Sequence, residues 1–405
     1  MTSVTDEVAK QYEAFPYPAF DPQWDKYFAF GDPSVFSPLL WPEGAPRKNL
    51  RILVAGCGTV EAARCAIRNP GCDVLGIDIS EAAIATHNQL KVERDLDNLE
   101  IRRLDLHEVA NCGSVFDLIM SNGVLHHLER PEEGLRSLAG VLDSRGAMVL
   151  MLYGNAPRVG VYLLQDVFRR MGLAADQTSV ELVRAVLTSL PKHHYFHWYS
   201  ANAPDLASDA GLVDTLLHVK DRAYSVPQIL RLVEDCGLRF QSWEDNHFYF
   251  PEGNIRAGTP LWRKIKAIPN REQWAVIENL TLSIGRHAFI VHRPERIGCE
   301  LDFSDASWLD YIPMRVPGMK IIEQTGSDPQ RPLSGRRGRI EFSIGLNEAA
   351  LLSNCDGKRP ISHIVEHSTL QVPPTLTREE YTRSFFERMW KLGHLWILRV
   401  PHRLG

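Results

Sequence analysis

Gly56-Cys57-Gly58, Asp78, Asp105 and the pair His126-His127 are the residues whose types and spacing can do chemistry. Two glycines leave the backbone bare, so a ligand can approach closely and meet the N–H groups of the following helix. Asp78 lies 20 residues after Gly58, where a doubly wound fold holds the carboxylate that accepts both hydroxyl protons of a ribose. The imidazoles at 126 and 127 titrate near neutral pH and can take a proton, or one can simply cap a helix start. A second run, Lys192-His-His-Tyr-Phe-His-Trp-Tyr-Ser200, interleaves imidazoles with rings. In it His193, His194 and His197 read as bases, as anion-binding groups, or as plain exposed polar positions. His218 and Asp221 with Arg222 read either as a substrate-positioning cluster or as hydrogen bonding around a turn.

These groups need elements to hold them. Ile52, Leu53 and Val54 form a short apolar run of the kind that fills a central parallel strand. Glu61 to Ile67 continues with helical composition. Further strands are expected over 73–80 with its acid at Asp78, over 99–106 ending at Asp105, from Phe116, and over 147–152. The last follows a helix from Glu132 to Leu142 and a turn at Arg145-Gly146. Each chemical group thus falls at the carboxyl end of a strand, which puts one ligand crevice on one edge of one sheet.

Over residues 48 to 155 this order of signals resembles class I S-adenosylmethionine-dependent methyltransferases. The resemblance implies a doubly wound, Rossmann-like α/β sheet and S-adenosylmethionine as cofactor. It assigns cofactor binding to Ala55, Gly56, Cys57 and Gly58, to Asp78 and Ile79 at the ribose, and to Asp105 and Leu106 at the adenine edge. Ser121, Asn122 and Gly123 then line the methionine half. The leader Gln11-Tyr-Glu-Ala-Phe-Pro-Tyr-Pro-Ala-Phe-Asp-Pro22 is similar to one found in a bacterial subset of these enzymes. It implies a lid in which Tyr12 and Tyr17 close over the site, Tyr12 also being a catalytic candidate beside His126, His127, His194 and His197. Its prolines exclude a central strand or a helix interior there, and a surface strap is the alternative.

The chain has 405 residues, 44% of them apolar, enough for more than one domain. A net charge of −5 gives no global field for nucleic acid, and no run reaches the ~20 apolar residues of a membrane helix. Seven scattered cysteines and a start without a signal-peptide core fit reduced thiols and a cytoplasmic location. No bound metal is expected, since no carboxylate–histidine pair has a decisive spacing.

The expected layout is a leader over 1–47, the cofactor domain over 48–155 and a helical substrate cover over 156–256. Residues 257–293 would return to the core sheet with a late antiparallel strand. Residues 294–337 read as a linker whose arginine-rich end forms a solvated loop, with anion binding as the alternative. A small α+β, winged-helix-like domain is expected over 338–405, and it is similar to small domains that bind leader peptides in peptide-modifying enzymes.

Methyl transfer is an in-line displacement in which positioning alone can remove roughly 7–11 kcal/mol of barrier. A base is needed only for a protonated acceptor. The expected activity is transfer to the oxygen or nitrogen of a small metabolite. The alternatives are a peptide or protein acceptor recognised by the C-terminal domain, and a regulator that binds the cofactor without chemistry. A homodimer is one expected assembly.

Overall fold

The computed structural model describes residues 4–322 and 333–399. They fall into two compact units. The first joins residues up to 34 with 46–244 and 278–296, and the second joins 35–45 and 245–277 with the chain from 297 onward.

Seven strands build the first unit: β1 Arg51–Ala55, β2 Asp73–Asp78, β3 Leu99–Arg103, β4 Phe116–Asn122, β5 Leu142–Tyr153, β6 Arg239–Trp243 and β7 Arg286–His292. Their order in the sheet is β3-β2-β1-β4-β5-β7-β6. Strands β1 to β5 run parallel, while β7 is antiparallel to both β5 and β6. Ile52, Leu53, Leu118, Ile119, Met148, Val149 and Leu150 are fully buried, as a sheet covered on both faces requires. The strand order reverses between β1 and β4, so the crevice opens at their carboxyl ends.

Several elements differ from their sequence expectation. β3 ends at Arg103, and Asp105 instead caps the 3-10 helix Leu106–Cys112. The helix expected to reach Leu142 spans Pro131–Gly140, and Leu142 already belongs to β5. The expected turn at Arg145-Gly146 is a bulge within that strand, since Phe116 pairs with Leu142 and Leu118 with Ala147. The leader is partly helical: α1, Val4–Ala14, contains Tyr12. The first leader proline is Pro16, which restricts Phe15 but leaves earlier residues free to form a helix.

The cover contains the helices Val159–Arg170, Gln177–Ser189 and Val226–Asp235, and also β6, which joins the main sheet. A register shift between Phe240 and Ser242 breaks the alternation that would have marked β6 in the sequence. The expected return segment 257–293 divides, with 278–296 in the first unit and 257–277 in the second.

In the second unit β8 (Ile312–Arg315) pairs with β12 (Leu395–Leu398). Strands β9 (Met319–Ile322), β10 (Leu333–Arg337) and β11 (Ile340–Ile344) form an antiparallel sheet. The helices Leu346–Ser353, Ile361–Glu366 and Arg378–Lys391 follow β11. Trp308, Leu351, Ile361, Phe386 and Met389 are buried in its core. The stretch expected to be a linker therefore carries β8, β9 and β10. Residues 323–332, Arg331 included, lie outside the described residues. Arg337 is not in a solvated loop: it leaves β10 to form a bidentate pair with Asp245 at 2.7 and 3.0 Å. The apolar partner of β10 comes from the next strand. Phe342 lies over Gly335, where a Cβ would stand only 2.2 Å from its ring.

All seven cysteines are free and buried. Among the described residues no helix is long and apolar enough to cross a membrane. Phe289 on β7 is fully buried and ties the late antiparallel strand to β5. Phe289→Ala is expected to cost about 3–5 kcal/mol, read as a lower urea midpoint for the first unit.

Candidate active site

Gly56 and Cys57 both donate their N–H groups to the Ile77 carbonyl, at 2.9 and 3.0 Å, which turns the chain sharply after β1. Gly56 has φ +73°, and a Cβ there would lie 2.3 Å from Val124. No other residue type fits this turn without displacing the post-β4 segment. Gly58 donates to Asp78 Oδ2 at 2.8 Å, and Ser80 donates to Asp78 Oδ1 at 3.0 Å. Burial raises the Asp78 carboxyl above its ordinary range, against the pull of the Ser80, Gly58 and Ile79 N–H groups. Each oxygen keeps a further lone pair for a hydroxyl.

Asp105 uses Oδ1 for the His107 N–H and for His107 Nδ1, both at 2.8 Å, with Leu106 buried beside it. At the end of β4, Asn122 Nδ2 donates to the Phe30 carbonyl at 3.1 Å. Ser121 Oγ and Asn122 Oδ1 are buried without a partner. A ribose acid, a bare glycine turn and two unpartnered polar atoms fit S-adenosylmethionine, with Asp78 for its ribose and Ser121-Asn122-Gly123 for its amino-acid end. The leader lies against this loop: Thr59 Oγ1 donates to the Pro18 carbonyl at 2.7 Å. Ala55 and Cys57 are buried, and Ile79 is half-buried at the end of β2.

Beyond β4 and β5 lies a buried polar cluster centred on Asp214, which is 2% exposed. Tyr12 donates to its Oδ1 at 2.9 Å and Tyr153 to its Oδ2 at 3.0 Å. Asp214 occurs in the π-helical turn Val213–Leu217, every residue of which is buried. Tyr17 donates to Asp205 Oδ2 at 3.3 Å. Arg158, fully buried, pairs with Asp221, donates to the Tyr199 hydroxyl at 3.1 Å, and packs 3.8 Å over the Tyr153 ring. His126 stacks on Tyr153 at 3.8 Å, and neither of its ring nitrogens has a partner. Burial, with His127 and Arg158 nearby, holds His126 and His218 well below the ordinary imidazole range, hence neutral.

One peptide orients two imidazoles. The Lys220 N–H donates to His218 Nδ1 at 3.0 Å, so the proton of neutral His218 is on Nε2. That Nε2–H donates to the Tyr12 oxygen at 3.2 Å, and the Tyr12 hydroxyl donates in turn to Asp214. The Lys220 carbonyl accepts from His127 Nδ1 at 2.8 Å, and His127 Nε2 lies 3.9 Å from Asp214 Oδ1. One ligand atom from each of His127, Asp214 and His218 lies within 4.8 Å of the others, the spacing of a metal-ligand set. The proton on His218 Nε2 removes one of those three lone pairs.

Tyr12, Tyr17, His126 and His127 thus gather near the carboxyl ends of β4 and β5. His194 and His197 do not join them. His194 Nδ1 accepts from the Phe196 N–H at 3.1 Å, and exposed His197 is 3.1 Å from the Pro191 carbonyl, each bound to its own turn. Asp221 pairs with Arg158 rather than Arg222, which lies over the Tyr224 ring at 4.7 Å. Tyr153, Arg158, Asp205 and Asp214 escaped the sequence reading. The lone acid in Leu212-Val213-Asp214-Thr215-Leu216-Leu217 was the available signal, since an isolated carboxylate in a buried apolar run needs partners.

Residues 46–183 match the protein family described as a methyltransferase domain. The uncharacterised protein syc1184_c of Synechococcus sp. is 27% identical over 311 residues, covering 72% of each chain. A structure of PKMT2 from Rickettsia typhi in complex with AdoHcy superposes with TM-score 0.63 at 15% identity, covering 95% of this chain and 77% of that one. A further PKMT2 structure gives 0.65 at 16% identity, covering 95% and 78%. These structural likenesses are of fold.

Asp78→Ala is expected to weaken binding of S-adenosylhomocysteine by at least about 100-fold, since two charge-assisted hydrogen bonds are lost. Calorimetric titration reads the affinity, and circular dichroism should show an unchanged fold.

Proposed function

Because residues 46–183 form a class I methyltransferase domain whose methyl donor is S-adenosylmethionine, we propose that the chain methylates an oxygen or nitrogen of a small metabolite, with His127 as general base. The observation that carries this reading is the buried cluster of Tyr12, His127, Tyr153, Asp214 and His218. The donor, when bound, supplies the electrophilic methyl group. The protein has to hold the acceptor in line, exclude water and remove a proton.

His127 is suited to that last task. Its Nδ1–H is anchored on a backbone carbonyl, and its Nε2 lone pair faces a buried carboxylate that compensates an imidazolium. The arrangement has the logic of a base oriented by a third group. Tyr12 comes from α1 and Asp214 from the cover, so their hydrogen bond spans the leader and the insertion. A site closed by the chain's own leader favours an acceptor small enough to be enclosed. This also accounts for Tyr12 and Tyr17 facing carboxylates of the cover rather than solvent.

A second reading, a peptide acceptor, is favoured by one observation. Among the described residues β11 pairs only with β10, which leaves its outer edge open to an added strand.

The two readings separate with radiolabelled S-adenosylmethionine and a cell extract divided by ultrafiltration. Label in the small-molecule fraction supports the first, and label confined to polypeptide replaces it with the second. With an acceptor in hand, His127→Ala should lower kcat by about 10²–10⁴-fold while calorimetry finds the S-adenosylhomocysteine affinity unchanged.

A further inference from the structure

The helix Val159–Arg170 turns two faces to very different surroundings. Inward, Tyr162 and Gln165 reach Asp221 at 3.5 and 3.0 Å, and Gln165 also donates to the Thr215 carbonyl at 2.9 Å. Val161, Leu164 and Phe168 fill the core of the cover. Outward, Val159, Leu163, Val167 and Met171 recur every four residues and are 47, 49, 42 and 48% exposed. A surface helix ordinarily keeps that side polar; here it is apolar. The short helix Phe196–Ser200 extends the patch. It packs so closely on the longer helix that a Cβ at Gly160 would lie 2.3 Å from the Phe196 nitrogen. Tyr195 at its start and Trp198 one turn on, 69 and 49% exposed, add aromatic surface beside the ridge.

We propose that this patch is the interface of a homodimer, seated on the same patch of a second copy of the chain. Three observations select that occupant. A row spaced i, i+4 is a packing ridge, and two such ridges interdigitate when their helices cross at about −50°, the commonest helix–helix class. The row therefore suits its own copy across a two-fold axis, where one self-complementary patch is all the contact requires. The second observation is area. A standard interface buries about 800 Å² per partner, of which roughly 65% is apolar between identical subunits. At their exposures the six side chains offer on the order of 500 Å², close to that requirement and near the upper end of what a monomer leaves uncovered.

The third is charge. Asp166 pairs with Arg170 at 2.8 Å on the ridge helix, and Arg184 pairs with Asp209 at 2.6 Å in the same cover. These arginines are closed on acids, so two copies meet without their like charges opposed. An anionic membrane calls instead for unpaired basic groups beside the apolar row, and the chain as a whole carries −5. The pairing braces from outside the helix whose inner face holds Asp221.

Sedimentation velocity of the full chain reads the assembly directly. The expected mass is twice the 45.8 kDa of one chain, and it should persist in about 1 M NaCl, where screening leaves little attraction between exposed charges. Leu163→Lys combined with Val167→Lys adds ammonium groups to both halves of a two-fold interface and should weaken association at least about 100-fold. Trp198→Glu probes the aromatic side of the patch independently and should also shift the chain toward monomer. Val92→Lys, at an 82% exposed residue of the helix Glu81–Glu93, should leave the dimer intact. Each variant is expected to keep the wild-type affinity for S-adenosylhomocysteine by calorimetry, which shows it folded. A monomeric wild type overturns the proposal, and so does a dimer that survives both patch variants or is lost with Val92→Lys. A monomer that floats with phosphatidylglycerol vesicles replaces the second copy with a membrane.

Discussion

Burying the Asp214 side chain, with which no lysine or arginine pairs among the described residues, is the constraint around which the first unit is arranged. Such a group is tolerated only when hydrogen bonds replace its water. The two that do so come from distant parts of the chain, Tyr12 in α1 and Tyr153 at the end of β5. Satisfying one carboxylate therefore requires the leader, the sheet and the cover to come together at one place. That place is the carboxyl edge of the sheet, where the chain reversal between β1 and β4 already opens a crevice.

The same arrangement gives the histidines opposite roles. His127 and His218 stack at 3.8 Å and belong to one cluster, yet at Nδ1 one donates to the Lys220 carbonyl and the other accepts from the Lys220 N–H. The difference arises from the two ends of the Lys220 peptide. A backbone amide can only donate through N–H and only accept through C=O, so the assignment is independent of the Lys220 side chain. This makes the loop after the π-helical turn a positioning element.

Much of the sheet was legible in the sequence because each strand is a short apolar run punctuated by glycine or an acid. Gly56, Gly58, Asp78 and Asp105 were readable because a turn, a strand end and a helix cap fix their positions locally. The buried cluster was not, because its members come from residues 12, 126–127, 153, 158, 199, 205, 214, 218 and 221, and only folding brings them together. His194 and His197 looked chemical by composition, yet they serve their own turn. Asp214 looked like one polar residue in an apolar helix, yet it is the centre. Composition measures how many polar groups a segment holds, whereas burial decides which of them must find partners. β6 and β10 were hidden for a different reason. A register shift and a glycine under a neighbouring strand's phenylalanine remove the alternation on which strand reading depends.

The isolation of His126 follows from the same reasoning. Its ring stacks on Tyr153 beneath the Arg158 guanidinium, and neither nitrogen has a partner although the side chain is fully buried. A neutral imidazole in that position costs less than a charged one would, and Arg158 together with His127 disfavours its protonation further. His126 is therefore poorly suited to gain a proton. Of two adjacent histidines in the sequence, the fold leaves one without a polar partner and sets the other beside the Lys220 carbonyl and Asp214. Their difference lies in what the cover places opposite each ring.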